Sequence, residues 1–393
     1  MKSIRYGTLA MGRRRFWAML AGAATIAGVG LLAAGSMEHQ GHWITGMDNQ
    51  IVWGLPHVFA VFLIVAASGA LNVASMGSVF GRTAYKSLAR LSGLLTIALL
   101  VGGLSVLVLD LGRPDRLIVA MTTYNFRSIF AWNIFLYTGL VIVVAVYLWV
   151  QMTHRLRRFQ GAAGVVALVW RLTLTTGTGL IFGMLVAREA YDAAVMAPLF
   201  IAMSLAFGMA LFIPALLALQ DGPLDDALLS RMARLLGIFV AATLYFVAVQ
   251  HLVNLYAAEH IGVERFILAD GGIITGLFWV GQILLGGIVP LVLLLVGTIT
   301  PLRVVIACGL IVLGGFAQVY VIIIGGQAYP LELFPGAVET SSFFDGQIAS
   351  YRPSLHELAL GIGGCGVAVL IALIGLRALP LLPAPAALRE AAE

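Results

Sequence analysis

The chain has 393 residues, of which 61% are hydrophobic and 10% charged, with a formal net charge of +5. Soluble domains carry roughly 25% charged residues, so a soluble fold is excluded for want of polar surface. A disordered chain is excluded by the excess of apolar surface. Long continuous apolar runs, in place of short alternating segments, argue against a transmembrane barrel. What remains is an all-α, polytopic membrane protein of about ten transmembrane helices.

In chain order the apolar runs cover 16–35, 53–75, 91–110, 129–150, 164–187, 195–219, 235–257, 272–296, 302–324 and 357–379. The first follows Arg13-Arg14-Arg15 and ends on Ala33-Ala34-Gly35, a pattern similar to a signal peptide. At about 20 residues it is long for a signal core and reads as a retained anchor. Pro198, Pro214 and Pro290 fall in or near spans and are expected to bend them. Trp17, Trp43, Trp53, Trp132 and Trp149 stand near span ends, where an interfacial aromatic belt would place them.

Four regions follow: an anchor helix and loop over 1–50, core helices over 51–324, a cap or docking loop over 325–356, and a last helix and tail over 357–393. Most bases, including Arg13 to Arg15, Arg82, Lys86 and Arg155 to Arg158, lie on one set of loops. The opposite loops hold only Arg113, Arg116, Arg127, Arg188, Arg265 and Arg352. The positive-inside rule then sets both termini in the cytoplasm. The same scattering over short loops argues against nucleic-acid binding.

Cys308 and Cys365 both lie in apolar runs, with no C-x-x-C pair. The chain therefore lacks the thiolates for a four-cysteine Fe–S cluster or an attached c-type haem. His57 and His251 stand at similar depth, but the common two-histidine spacing on one membrane helix is absent, so haem b is not expected.

Ionisable and polar residues at membrane depth are scarce and mark candidate sites. Asp110-Leu-Gly-Arg-Pro-Asp-Arg116 closes the third span, where Pro114 stops the helix and Gly112 permits a turn. Two readings stand for it: a solvated turn whose Asp and Arg pair, or a head-group site where Asp110 and Arg113 converge. Arg188 to Asp192 lie at the same depth and would complete such a cluster. His57, Ser68, Asn72 and Ser75 share one helix face, which either packs against neighbouring helices or lines a proton path. His251 and Asn254 form a shorter face of the same kind. Arg171 lies about two turns inside its span, within snorkelling distance of the surface.

On these motifs the chain resembles a known family. Leu109-Asp-Leu-Gly-Arg-Pro-Asp-Arg116 resembles the signature loop of the NrfD/PsrC family, the membrane subunits of polysulfide-reductase-like complexes. Trp53-Gly-Leu-Pro-His-Val-Phe59 resembles the start of that family's first core helix. His251-Leu-Val-Asn-Leu-Tyr256, Phe278 to Gly286 and Tyr329-Pro-Leu-Glu-Leu-Phe-Pro335 are similar, more narrowly, to its DsrP subgroup, associated with the sulfite-reductase-linked DsrMKJOP complex.

The resemblance implies a quinone site built from His57, Asp110, Arg113, Thr175 and Arg188, taking menaquinone or ubiquinone. It places Thr175-Thr176-Gly177 where family members often have Tyr-Thr-Gly. Proton transfer would use His57 and Asp110, and Ser68 with Asn72 if protons cross the membrane. Asp115, Arg116, Glu332 and Phe334 would dock an extracytoplasmic ferredoxin-like Fe–S subunit (DsrO-like). A multihaem cytochrome c (DsrJ-like) and DsrM- and DsrK-like subunits would complete the complex in the inner membrane, with no Fe–S centre in this chain. The competing readings are a secondary transporter, whose polar groups would gather at broken helices near the midplane, and an anchor without its own quinone site.

Overall fold

The computed structural model describes residues 6–220, 224–330 and 346–383. Among them are ten helices long and apolar enough to cross a membrane: α1 (Arg13–Gln40), α2 (Leu55–Ser78), α3 (Ala89–Leu109), α4 (Ile129–Met152) and α5 (Gln160–Gly183, entered through the 3-10 turn His154–Phe159), then α6 (Met196–Leu219), α7 (Asp226–Tyr256), α8 (Ile273–Leu295), α9 (Pro301–Ala328) and α10 (Leu355–Ala378). All ten expected spans are present. The largest shift is in α7, which begins at Asp226 and not near 235. Apolar content marks only the lipid-facing part of a helix. The extra turns carry Arg231 and Arg234 and start on Asp225, whose side chain accepts from Leu228 N at 3.1 Å.

The described helices run up and down, so residues 6–7 and 382–383 lie on one side. Strand β1 (Tyr6–Gly7) pairs antiparallel with β2 (Leu382–Pro383), a small addition to an otherwise all-helical fold. The first turn of α2 and the last of α3 lie at the opposite end, called here the Asp110 end.

Helix α2 is the centre of the bundle: 94% of its apolar window is buried, against 28% for α1 and 22% for α4. It packs on α3, α5, α6, α9 and α10. Apolar side chains gain little by leaving lipid for protein, so the helices associate through small residues that let backbones touch. At the α2–α6 crossing, a Cβ on Gly69 would overlap Ser204 O, and one on Gly208 would overlap the backbone of Gly69 and Ala70. Gly286 and Gly314 do the same for α8 and α9.

The second half of the bundle is less regular. Helix α8 is wound as a π-helix over Leu277–Ile288, and α9 over Val321–Gly325. Such wide turns are rare and concentrate at functional sites. Pro214 lies inside α6, and Pro290 stands two residues after the π-segment of α8.

Candidate functional site

The site begins where α2 starts. Pro56 occupies the first turn, where a missing N–H costs nothing, and His57 follows it. Asp110 caps the other end of the pairing, at the close of α3. His57 Nδ1 and Asp110 Oδ2 are 2.7 Å apart, with the Asp side chain 1% and the His side chain 16% exposed. His42 Nε2 lies 3.2 Å from the Asp110 carbonyl. Asp110 Oδ1 is buried and has no hydrogen-bond partner among the described residues. A buried carboxylate oxygen without a donor is costly.

Trp53 stacks on His57 with ring centroids 5.9 Å apart, and Phe182 meets the Trp53 ring edge-on. Trp53 thus lies inward, beside the histidine, and outside the lipid belt expected of it. Trp17, Trp43, Trp132 and Trp149 are exposed, as the belt reading requires.

Side chains from the last two helices and from the loop between them hold the segment before His57. Gln327 Oε1 accepts from Val52 N and Trp53 N, at 3.0 and 2.9 Å. Its Nε2 donates to the carbonyls of Trp53 and Ile323. Leu55 N donates to Tyr351 Oη, which in turn donates to Glu357 Oε1. Burial, with the Glu357 carboxylate beside it, pushes the Tyr351 hydroxyl pKa up. Glu357 Oε2 accepts from Gly46 N and Ser354 N, and Ser354 completes the capping box of α10.

The other expected site residues fall in three places. Arg113 does not converge on Asp110: it forms a two-point ion pair with Asp115, and both side chains are more than half exposed. The motif therefore splits, its first acid turning inward to His57 while its Arg and second acid make the solvated turn. The Arg113 guanidinium holds the Asp115 carboxyl below its ordinary pKa. Arg116 is exposed on the same turn. Arg188 stands at this end too, yet donates to Gln50 O at 2.6 Å and so braces the loop before Trp53. Tyr191, fully buried, donates to Ile323 O.

Thr175 lies deeper. Its hydroxyl pairs with that of Ser68, eleven residues down α2 from His57, a rise of about 16 Å. Thr175 is therefore not part of the His57–Asp110 cluster. One turn further, Arg171 Nη2 donates to Asn72 Oδ1 at 2.9 Å. Arg171 is 3% exposed, so it does not snorkel: packing of α5 on α2 encloses it. The polar face of Ser68 and Asn72 is taken up by α2–α5 hydrogen bonds, and Ser75 bonds back to Leu71 O. Glu332 and Phe334 lie outside the described residues.

A second histidine–carboxylate pair is present, of which only the histidine and Asn254 stood out in the sequence. His251 Nδ1 is 2.6 Å from Glu264 Oε2, and Asn254 Nδ2 donates to Glu264 Oε1 at 2.8 Å. Glu264 lies 13 residues on, in the short helix Ile261–Arg265 after α7, and no helical periodicity links the two. His57 and His251 thus each close on their own carboxylate. Cys308 and Cys365 are free thiols. No group of three or more His, Cys, Asp or Glu side chains converges among the described residues.

The family described as polysulphide reductase, NrfD matches residues 43–330. The chain is 28% identical to an Hdr-like menaquinol oxidoreductase integral membrane subunit of Archaeoglobus fulgidus, over 86% of this chain and 87% of that one. It is 30% identical to a putative dimethyl sulfoxide reductase membrane subunit of Halobacterium salinarum, covering 96% and 92%. A selenate reductase subunit of Mesobacillus selenatarsenatis is 23% identical, covering 91% and 92%. The family match spans the loop that carries Trp53, the first turn of α2 with His57, and the Asp110 turn. This multi-pass membrane protein belongs to the polysulphide reductase NrfD family.

Proposed function

We propose that this chain is the quinone-linked membrane subunit of a respiratory oxidoreductase complex, with the quinone head group at His57 and Asp110. The observation that carries this reading is the 2.7 Å contact between His57 Nδ1 and the buried Asp110, whose second oxygen has no partner among the described residues. The relatives are named as subunits of a menaquinol oxidoreductase and of two reductases, which supports a quinone pool on one side and a partner subunit on the other. Menaquinol is the substrate class named for the Archaeoglobus relative; ubiquinol has the same head-group chemistry.

Oxidation of a quinol releases two electrons and two protons, so the site needs acceptors at the hydroxyls. With Nδ1–H donating to the carboxylate, His57 presents Nε2 as an acceptor. Asp110 Oδ1 is a second acceptor in the same cluster. The flat ring of Trp53 beside His57 offers a wall for an aromatic head group. Protons leave to water at the Asp110 end, and quinone reduction runs the same transfers in reverse.

Electrons need a separate carrier. The reading gives that role to an extracytoplasmic ferredoxin-like Fe–S subunit docked at the Asp110 end. The chain then sits in the inner membrane with the base-rich ends of its helices toward the cytoplasm. The Asp115, Arg116 and Arg113 turn is exposed at the Asp110 end and available to the partner. A sulfur-metabolising complex of the Dsr type is the narrower form of the same proposal.

The test is turnover of a soluble quinol analogue by the assembled complex carrying His57→Gln or Asp110→Asn. A positioned acid–base group contributes about 10²- to 10⁴-fold, so turnover should fall by at least 100-fold with assembly unchanged. Wild-type turnover in both variants would overturn the assignment.

A further inference from the structure

The second histidine–carboxylate pair adjoins open space. A cavity of about 20 Å³ is lined by Gln250, His251, Gln282 and Gln318, with walls from Met196, Leu199 and Ile322. A second cavity of the same size, lined by Thr243, Gln282, Gln318 and Phe207, shares Val247 and both of these glutamines with the first. Their polar lining extends about two helical turns along α7, from His251 to Thr243.

Three observations give these spaces a ligand. Gln318 is 3% exposed, and its Nε2 has no hydrogen-bond partner among the described residues. Gln250 and Gln282, each 7% exposed, add two further buried amides to the lining. Each cavity has room for about one water molecule, which needs roughly 10–15 Å³ of such space and two or more polar partners. A quinone ring would not fit without displacing side chains. The irregular windings lie at this place: the π-segment of α8 contains Gln282, and the π-segment of α9 begins three residues after Gln318.

We propose that His251, Glu264 and these glutamines form a second, hydrated proton-exchanging centre that holds ordered water between the amides and connects the pair to the bundle interior as far as Thr243. In each transfer an excess proton carried in as hydronium on the ordered water passes to imidazole Nε2, leaving neutral water, while the Nδ1 proton passes to the Glu264 Oε2 carboxylate; the return transfer is the reverse. One proton enters and one moves on, with no change in electron count. The centre is separate from His57 and Asp110, which lie between α2 and α3, so it stands or falls independently of the quinone reading.

The test uses the full chain in lipid nanodiscs. Solid-state NMR polarisation transfer from water should give a cross-peak at the Gln318 side-chain amide and at the His251 ring nitrogens. Gln282→Leu, which leaves Gln318 in place, should weaken the Gln318 peak at least threefold. Hydroxyl-radical footprinting should label Met196 and Phe207, which line the cavities, well above Met209 and Phe212, which are also buried but do not line them. A Gln318 amide without water contact, or labelling of Met196 and Phe207 no higher than Met209 and Phe212, would overturn the proposal. Quinol-analogue turnover in the same preparations reports on His57 separately and should be unchanged by Gln282→Leu.

Discussion

His57 and Asp110 are 53 residues apart in sequence and 2.7 Å apart in space, joining the first turn of α2 to the residue that closes α3. The pairing brings an imidazole and a carboxylate to one depth while keeping the carboxylate out of water. Loss of either partner strands the other, so the two should act as a unit. The double variant His57→Gln/Asp110→Asn is expected to lose no more quinol turnover than the worse single variant, as steady-state rates of the assembled complex would show.

Gln327 is a bracket for this pair. All four of its side-chain hydrogen bonds go to backbone, three of them to Val52 and Trp53. Gln327→Leu leaves those groups unsatisfied and should cost about 2–4 kcal/mol. The measurement is thermal unfolding of the purified chain, combined with the affinity of the folded fraction for a quinone-head-group analogue, which should fall as Trp53 and His57 lose their fixed placement.

Arg171 and Asn72 form a buried charge–amide contact whose cost depends on which partner is removed. Asn72→Leu takes away the acceptor and leaves an enclosed cation, with Nε and Nη1 already unpartnered among the described residues, so it should destabilise by about 2–4 kcal/mol. Arg171→Met removes the charge itself and should cost less. Adding Arg171→Met to Asn72→Leu should therefore recover stability, read as a higher unfolding midpoint for the double variant.

The α2–α6 crossing depends on glycine. Gly69→Ala or Gly208→Ala would force backbone atoms apart and should lose roughly 2–3 kcal/mol or the folded state altogether. Gly28→Ala in α1 meets nothing within 4 Å and should be neutral or slightly stabilising. Yield of monodisperse protein and unfolding temperature separate the two cases.

The Arg113–Asp115 pair is exposed on both sides, so charge reversal there should leave the unfolding temperature unchanged. If the turn docks a partner, Asp115→Lys should weaken partner binding, and raising salt should shrink the difference between variant and wild type.

The helices were legible because lipid imposes a simple demand: every spanning segment must be apolar and satisfy its own backbone, and both requirements are local. Ten runs of residues state them directly. Helix ends outside the apolar zone were not marked that way, which is why α7 starts two turns early. His57 and Asp110 could be singled out for the same reason, since polar groups at depth are rare.

Which groups meet is a different matter. The sequence placed Asp110 next to Arg113; tertiary packing gave Asp110 to His57, Arg113 to Asp115 and Arg188 to Gln50. It enclosed Arg171 against Asn72, turned Trp53 from the lipid to the histidine, and matched His251 with Glu264 and two distant glutamines, Gln282 and Gln318. Composition and periodicity record how each residue suits its surroundings along one helix. Partners across helices are set by crossing points such as Gly69 on Gly208, and that information exists only once the backbones touch.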